Sequence, residues 1–494
     1  MQKVTNNLGK LLFIFLVISS LSFTLNNNTI IIKGKIIGKT NGKLSYTVSE
    51  NGHSFWGFTQ SIWLSSIGTF RIKTKIKQAS FINLYIANKH CTLIVKPSGV
   101  YEVNCDLNAK NHNFSFKGTD AKLQTSYNLL PNPINIQLDT WKFATDTVPD
   151  QIKKHIKTLM NKELLSFKTL LSDKKTTLNI YDLIQHDRRC YYSTMKGTLA
   201  LFKFYQQIEK NNNAFTEDYQ KMWAESFLNF GQKKSDYQYS PWFYNYLNNY
   251  LKFKEYTTEN FSPKKLTELY KKGLIHTHFI ETAKRYLSGK ELEFYSAAYI
   301  YIAALQKNYE KELIMLFKQF KKDFPKSKYP KYIEPLINDI KLYYYNDSKK
   351  PNTEVRILNN YKQINSLDEC LHLFEGSKVY VDVWATWCGP CKKEFEQYEK
   401  TIRLLKSKNV KILYISIDKD TEYLRWRKMI NSFNLSGYHV RANKKFRNDL
   451  RSLFNQNGLL TIPWYLIIDK NGKIINKNAP SASQLIELEA ELDN

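Results

Sequence analysis

The stretch VYVDVWATWCGPCKKEF, from Val379 to Phe395, joins a run of strand-forming residues to a segment of helix-forming ones. Two cysteines, Cys388 and Cys391, stand two residues apart at the junction. Where a strand ends and a helix begins, free backbone N–H groups and the positive end of the helix dipole face the first cysteine. Both effects favour a thiolate, and the second cysteine lies one helical turn further, within disulfide reach.

Three kinds of chemistry fit two closely spaced cysteines. A zinc site requires two further soft ligands, and the sequence has no second Cys-x-x-Cys to supply them. A purely structural disulfide that closes two residues removes little entropy from the unfolded chain. The pattern therefore predicts a dithiol that cycles between reduced and oxidised forms. Gly389 and Pro390 permit the tight helix entry, because proline in the first helical turn removes no hydrogen bond.

The residues around this stretch alternate between strands and helices. From Glu354 to Asn494, the apolar strands KVYVDVWA, VKILYISID and IPWYLIID are separated by amphipathic helical segments, and an Asn-Gly pair at Asn471 marks a hairpin. Ser366 and Glu369 have the spacing of a capping box that opens a short helix. This pattern predicts an α/β domain with a central sheet and helices on both faces.

Two other patterns precede the α/β domain, so the chain is predicted to be multidomain. Residues 26–118 alternate apolar and polar residues between Gly and Asn turns, which predicts an N-terminal antiparallel β domain. Residues 119–345 repeat apolar residues at spacings of three and four, which predicts an all-α middle domain. The polar residues 346–353, with a Pro-Asn turn, predict a linker before the domain of residues 354–494.

Two further cysteines lie in the predicted β domain. A turn centred on Ser98 would place Cys91 opposite Cys105, seven residues away on each side. A cross-strand disulfide and two buried free thiols are both compatible with this placement, because a one-residue slip in register turns the side chains apart. In the helical region, His276 and His278 and the segment His186–Cys190 contain metal-ligand types without a second pair at metal-site spacing. We therefore expect no metal.

The composition limits the partners. Apolar residues make up 43% of the 494-residue chain, enough to bury several cores, and the formal net charge is +28. The excess of Lys is spread in pairs such as Lys153-Lys154, without a dense basic run or a base-reading module. We expect no nucleic-acid partner, and at most a weak preference for anionic membranes or acidic proteins.

The N-terminus indicates where the protein works. Lys3 and Lys10 precede the uncharged, mostly apolar run from Leu11 to Leu25. This run of 15 residues is shorter than the span of about 20 that crosses a bilayer, so residues 1–25 are predicted to be a cleaved export signal. An uncleaved membrane anchor is the alternative. Either reading predicts that the remaining chain works in the periplasm or cell envelope.

The segment from Val383 to Lys392, VWATWCGPCK, resembles the active site of thioredoxins, and residues 354–494 resemble the TlpA/ResA-like extracytoplasmic thiol-disulfide oxidoreductases. The resemblance implies a C-terminal thioredoxin fold and protein thiol-disulfide exchange without a bound cofactor. Cys388 would then be the attacking thiolate, and Cys391 the thiol that resolves the mixed disulfide. Asp382 matches a buried carboxylate that helps to deprotonate the resolving thiol, while a surface acid is the alternative.

The resemblance also implies which residues bind a substrate chain. Pro463 matches a proline whose cis peptide bond faces the disulfide, which leaves the backbone of Ile462 free to pair with a substrate strand. Trp387 matches the aromatic residue beside the exposed sulfur, next to Gly389 and Pro390. Two residues depart from the thioredoxin pattern: Trp464 replaces a small polar residue, and Tyr414 replaces the lysine that partners the buried acid.

A Gly-Pro dipeptide between the cysteines is typical of the more reducing relatives, so the resemblance favours a protein-disulfide reductase. The implied partners are client proteins with cysteines or disulfides and an electron donor in the membrane. Two alternatives stay open: an envelope binding or scaffold protein with an accessory redox domain, and a disulfide isomerase. Retention of a client by residues 1–350 alone would favour the first alternative, and a stable dimer would favour the second.

Overall fold

The structure is a computed structural model. It describes residues 28–50, 52–110, 113–131, 136–145, 148–210, 215–228, 237–349, 352–454 and 460–493. The predicted export signal, residues 1–25, lies outside the described residues. Across the part of the chain that is described, each helix is too short or too polar to span a bilayer. The described residues divide between two compact units, Met1–Glu268 with Phe279–Ala298, and Leu269–His278 with Tyr299–Asn494.

The first unit begins with two four-stranded β-sheets. The strands are β1 Thr29–Ile37, β2 Lys43–Thr47, β3 Thr59–Trp63, β4 Thr69–Lys75, β5 Ser80–Ile86, β6 Lys89–Val95, β7 Val100–Asp106 and β8 Phe114–Gly118. One sheet has the order β4-β1-β7-β8 and the other the order β3-β2-β5-β6. The pairing is antiparallel, as predicted, except between β1 and β7, which run parallel. Apolar residues of both sheets, among them Ile32 and Leu93, form one shared core.

The predicted hairpin between Cys91 and Cys105 is wrong. The chain does turn at Ser98, which has a φ of 65°, but β6 and β7 belong to different sheets. Cys91 pairs with Leu84 of β5, whereas Cys105 pairs with Ile36 of β1 and Phe114 of β8. Both thiols are free and buried in the core that the sheets share, so the alternative of two buried thiols is the one observed.

Helices follow the sheets. They are α1 Ala121–Asn128, α2 Ile136–Thr140, α3 Pro149–Ser172, α4 Leu178–Lys210, α5 Glu217–Glu225, α6 Phe243–Phe253, α7 Lys265–Lys271, α8 Ile275–Tyr286, α9 Gly289–Leu305, α10 Glu312–Asp323 and α11 Pro330–Asp347. The 33-residue helix α4 carries a buried polar network, in which Asp187 accepts hydrogen bonds from Tyr127 and Ser240, both at 2.7 Å. Arg188 donates to Glu163 at 2.9 Å. Hydrogen bonds within the fold thus hold these side chains, although the buried Nη2 of Arg188 has no partner among the described residues. No cluster of three metal-ligand residues occurs in the described ranges.

The second unit contains a six-stranded sheet of order β14-β13-β10-β11-β12-β9. Its elements are β9 Val355–Ile357, α12 Leu367–Leu371, β10 Val379–Trp384, α13 Gly389–Phe395, α14 Tyr398–Ser407, β11 Lys411–Ser416, α15 Tyr423–Ser432, β12 Gly437–Arg441, α16 Lys444–Phe454, β13 Trp464–Ile468, β14 Ile474–Asn476 and α17 Leu485–Asp493. Strands β10, β11, β12 and β9 run parallel, and β13 and β14 form an antiparallel hairpin at Asn471. The predicted α/β architecture is confirmed for this unit.

Short sequence patterns predicted these elements correctly. Ser366 caps α12 by accepting from the Glu369 N–H at 3.1 Å, and Glu369 in turn accepts from the Asn365 N–H at 2.7 Å. Alternate residues of β10 face opposite sides of the sheet. Val381 packs in the core formed with α12 and α16, whereas Asp382 is hydrogen-bonded to Tyr398 at the start of α14. The sheet thus has a purely apolar face and a face that carries a buried acid.

The boundary between the two units differs from the predicted linker at residues 346–353. Helix α11 continues to Asp347, and α10 and α11 belong to the same unit as the sheet. Aromatic packing accounts for this grouping, because the rings of Tyr309 and Tyr343 stack at 4.3 Å and both contact Phe433 of the segment after α15. The three-domain division stays a prediction.

The close approach of β1 and β7 gives a test of the β-sheet packing. A methyl group at Gly34 would lie 1.7 Å from the Val103 carbonyl oxygen, so we expect Gly34→Ala to destabilise the core by about 1 to 3 kcal/mol. The measurement is the urea dependence of thiol labelling at Cys91 and Cys105, which are buried in that core. Lys33→Ala, at an exposed neighbouring position, is the control, and equal labelling of the two variants would contradict the packing.

Candidate active site

The two cysteines lie at the junction between β10 and α13. Cys388 occupies the N-cap position of α13, with extended backbone angles, and its sulfur accepts a hydrogen bond from the Cys391 N–H at 3.1 Å. The two sulfurs are joined by a disulfide, and the two Cα atoms are 5.4 Å apart. Only 4% of Cys388 and 1% of Cys391 is exposed. Thus both residues are buried, and Cys388 is slightly the more exposed of the two.

The residues predicted to bind substrate surround this junction. Trp387 is 57% exposed, Pro390 is exposed, and a methyl group at Gly389 would meet no atom within 4 Å. The Ile462–Pro463 peptide bond is cis, and both residues are half-buried. Because Trp464 pairs with Val383, Pro463 lies at the same end of the sheet as the cysteines. An open surface with an aromatic side chain therefore borders the disulfide.

A buried carboxylate that sequence reasoning did not assign holds the loop before Cys388. Asp418, just after β11, accepts hydrogen bonds from the Thr386 backbone N–H at 2.9 Å and from the Thr386 hydroxyl at 2.8 Å. The Ser416 hydroxyl donates to the same carboxylate at 2.7 Å. Both Thr386 and Asp418 are fully buried. The signal was an acid directly after a buried parallel strand, within the YISID segment, where strand ends share one sheet edge.

Asp382, the predicted proton carrier, is fully buried, which excludes the alternative of a surface acid. The Tyr398 hydroxyl donates a hydrogen bond to its Oδ2, while no described group bonds to Oδ1. Burial raises the pKa of the carboxyl to about 7, Glu394 also raises it, and the Tyr398 bond acts in the opposite direction. Within the described residues Asp382 has no ion-pair partner, so its charge is not neutralised by a cation.

Tyr414 lies beside Asp382 in the adjacent strand, as the register pairs the two residues. Its ring stacks on His439 at 4.6 Å, and its hydroxyl has no partner among the described side chains. Burial lowers the pKa of His439 to about 3, so this imidazole is neutral at physiological pH. The predicted replacement of a lysine by Tyr414 therefore leaves an uncharged group next to the acid.

The second departure, Trp464, faces the apolar core of the sheet. Its indole N–H donates to the Lys477 carbonyl at 2.7 Å, and its ring packs edge-on against Phe454 at 5.1 Å. Trp384, which the sequence did not distinguish from a core residue, is fully buried against Phe395 at 5.0 Å. Of the three tryptophans near the junction, only Trp387 is available to a substrate chain.

Lys392, directly after Cys391, is fully buried, and sequence reasoning missed this. Its amine donates to the Gln306 carbonyl at 3.1 Å and to Asn308 Oδ1 at 3.4 Å. Burial lowers the pKa of the amine to about 8, and the neighbouring Arg425 contributes in the same direction. Lysine is an ordinary surface residue in a helix, so no sequence signal distinguished this one.

Comparisons with known proteins find relatives of the C-terminal part of the chain. The Redoxin family model matches residues 358–492. The thiol-disulfide oxidoreductase ResA of Bacillus thuringiensis subsp. konkukian is 28% identical over 104 residues, which cover 21% of this chain and 56% of ResA. ResA of Bacillus subtilis is 25% identical over 101 residues, which cover 20% of this chain and 52% of that protein. The chain thus spans about half the length of the curated relatives that it matches.

Solved structures are also similar to part of this chain. The thioredoxin domain of a thiol-disulfide oxidoreductase from Bacteroides vulgatus is 26% identical, with a TM-score of 0.21, and the match covers 25% of this chain and 81% of that one. A thiol:disulfide interchange protein from Bacteroides sp. is also 26% identical, with a TM-score of 0.22, covering 25% and 78%.

The fold and site define a thioredoxin-like domain at the C-terminus of the chain. This domain is TlpA/ResA-like, since residues 358–492 match the Redoxin family model and are similar to ResA thiol-disulfide oxidoreductases.

The raised pKa of Asp382 predicts a pH-dependent stability. Between pH 4 and 7 the unfolded carboxyl ionises while the folded one keeps its proton, so the free energy of unfolding falls as the pH rises. The asparagine of Asp382→Asn is uncharged at every pH, so the free energy of unfolding of this variant does not fall for this reason. We expect the stability difference between Asp382→Asn and the wild type to increase by about 2 to 4 kcal/mol from pH 4 to pH 8.

Labelling of Cys370, a free thiol buried in the core beside the sheet, reports unfolding of this unit in urea. Asp368→Asn removes an exposed carboxylate and serves as the control. A constant difference between Asp382→Asn and wild type across this pH range would show that the folded carboxyl ionises normally.

Proposed function

We propose that this protein is a thiol-disulfide oxidoreductase that reduces disulfides in client proteins. The observation that carries the proposal is the Cys388–Cys391 disulfide at the start of a helix, beside an open surface with an exposed Trp387. A sulfur at a helix N-terminus is stabilised as a thiolate, and the thiolate is the species that attacks disulfides. The names of the matched relatives support the same class of reaction.

In the proposed reaction the dithiol form of the protein supplies two electrons. The Cys388 thiolate attacks a client disulfide, whose S–S bond breaks as a Cys388–client bond forms. The Cys391 thiol loses its proton and attacks Cys388, which releases the client as a dithiol and forms the disulfide of the present structure. A reductant of the dithiol class, held in the membrane, would restore both thiols. The chain itself needs no bound cofactor for these steps.

Asp382 is proposed to accept the proton of Cys391. The acid lies on the sheet face against which the helices after Cys388 pack, as its bond to Tyr398 and the contact between Trp384 and Phe395 indicate. A carboxyl with a pKa of about 7 is half ionised near neutral pH, so it can both take up and release a proton there.

On the substrate side, Trp387, Gly389 and Pro390 are proposed to contact the client around the attacked sulfur. The backbone of Ile462 is proposed to pair with an extended client segment beside Pro463. The segment from Trp387 to Pro390 and the Ile462–Pro463 segment lie at the same end of the sheet. Such binding relies on main-chain bonds and an aromatic surface, so it suits many client sequences.

The proposed location is the periplasm or cell envelope. The apolar run from Leu11 to Leu25 behind two lysines has the composition of an export signal, and membrane association through this segment is the alternative to its cleavage. Client proteins with cysteines or disulfides and a membrane electron donor are the proposed partners. The scaffold and isomerase alternatives stay predictions.

Replacement of the resolving thiol tests the reaction. We expect Cys391→Ser to accumulate covalent client complexes through Cys388, because the second exchange step can no longer occur. The complexes should appear on non-reducing gels of cell-envelope extracts and disappear with dithiothreitol. Cys388→Ser is the matched control and should give none. Equal adduct formation by the two variants, or none by either, would remove the proposed mechanism.

Removal of the buried acid tests the proton transfer. In the wild type we expect the rate of client reduction to rise with pH around 7, as Asp382 ionises. Asp382→Asn should be about ten- to a hundredfold slower at pH 7 and should lose this inflection. Stopped-flow fluorescence at pH 5 to 9, with glutathione disulfide as a model client, provides the profile. An unchanged profile in the variant would reject Asp382 as the proton acceptor.

A further inference from the structure

Lys392 combines complete burial with a place on the active-site helix. The Lys392 N–H donates to the Cys388 carbonyl at 3.3 Å, so the two residues are one helical turn apart. Side chains of a helix lean toward its N-terminus. The aliphatic part of Lys392 therefore leans toward the end of α13 that the Cys388 sulfur caps.

The amine is held by a segment outside the region that the Redoxin model matches. Gln306 and Asn308 lie in the turn after α9, and their oxygens are the acceptors of the Lys392 amine. Arg425 also donates to Asn308 Oδ1, at 3.0 Å, and Lys307 forms an ion pair with Glu396 just after α13. Two of these contacts join the turn to α13, one joins it to the residue after that helix, and one joins it to α15.

The charge of Lys392 has no direct counterion. Its two acceptors are neutral oxygens, and within the described residues no carboxylate lies within 4.0 Å of the amine. The charged groups that surround it are Arg425 and Lys307, which oppose its protonation, and Glu310 and Asp418, which favour it. A buried cation without a paired acid is stabilised when a negative charge forms nearby.

We infer that Lys392, fixed by the turn at residues 306–308, is a positioning residue that places a positive charge beside α13 and thereby favours the ionised form of the Cys388 sulfur. The negative charge appears when the disulfide is reduced, so the lysine stabilises the reduced, attacking form of the site. The inference rests on the proposed function, and it assigns part of the redox chemistry to a segment that lies outside the Redoxin match.

The test compares two neighbouring lysines in the full chain with Cys391→Ser, which leaves Cys388 as the only active-site thiol. Lys392→Met removes the buried charge, whereas Lys393→Met removes an exposed one. The rate of Cys388 alkylation by iodoacetamide between pH 4 and 9, followed by intact-mass spectrometry, gives the thiol pKa. We expect Lys392→Met to raise it by about one unit, a loss of roughly tenfold in reactivity at low pH, and Lys393→Met to leave it unchanged.

A second variant tests the turn itself. Asn308→Ala keeps the lysine but removes one acceptor, so the amine becomes freer and better screened by water, and we expect a smaller rise in the Cys388 pKa. Asn308→Ala also tests the inference if Lys392→Met fails to fold. An unchanged pKa in both variants, or an equal rise in Lys393→Met, would overturn the inference. Failure of the proposed function is seen separately, as an absence of exchange with glutathione disulfide in the chain that keeps both cysteines.

Discussion

The placement of the Cys388 sulfur at the end of β10 is the constraint on which the site depends. The sulfur can cap α13 only if the chain leaves the strand and turns within four residues, and that turn must hold its shape when the disulfide opens. Asp418 provides the restraint, since its carboxylate binds both the backbone and the hydroxyl of Thr386. The acid comes from the neighbouring parallel strand, whose carboxyl end lies at the same edge of the sheet. The loop is therefore fixed to the sheet and not to its own helix.

Asp382 is buried with no cation beside it among the described residues, so its carboxyl holds its proton to a higher pH than an exposed aspartic acid does. A lysine beside Asp382 would lower the pKa of its carboxyl, whereas Tyr414 offers no charge, and desolvation is the largest effect on this pKa. The hydrogen bond from Tyr398 compensates only in part. The acid thus retains a proton up to about pH 7, where a small change in its surroundings shifts the proton either way. Tyr414, the departure from the thioredoxin pattern, thus pairs regularly with Asp382 in the sheet and places no charge beside it.

Features that depend on residues close together in the chain could be predicted from the sequence, whereas features that depend on distant residues could not. The strand, the cysteines, the helix start, the capping box at Ser366 and the hairpin at Asn471 are set by neighbours in the chain, and these were predicted correctly. The pairing of β1 with β7 joins residues about 70 positions apart, and nothing local distinguishes a turn within one sheet from a turn between two sheets. For the same reason the Cys91–Cys105 register was wrong. The roles of Asp418 and Lys392 depend on contacts across 32 and 86 residues, which no spacing rule reveals.

The packing of α10 and α11 bears on what counts as the folding unit of the redox domain. The Redoxin match begins at residue 358, yet Tyr309 and Tyr343 cover Phe433, which also packs against Phe395 of the active-site helix at 5.3 Å. A chain that began at residue 358 would lack Tyr309 and Tyr343, so it would uncover Phe433 and remove the acceptors of the Lys392 amine. Exposed aromatic surface of this kind costs stability, because apolar area returns to solvent. The helical segment is therefore structurally part of the C-terminal unit, and the environment of the disulfide is determined by more of the chain than the family pattern covers.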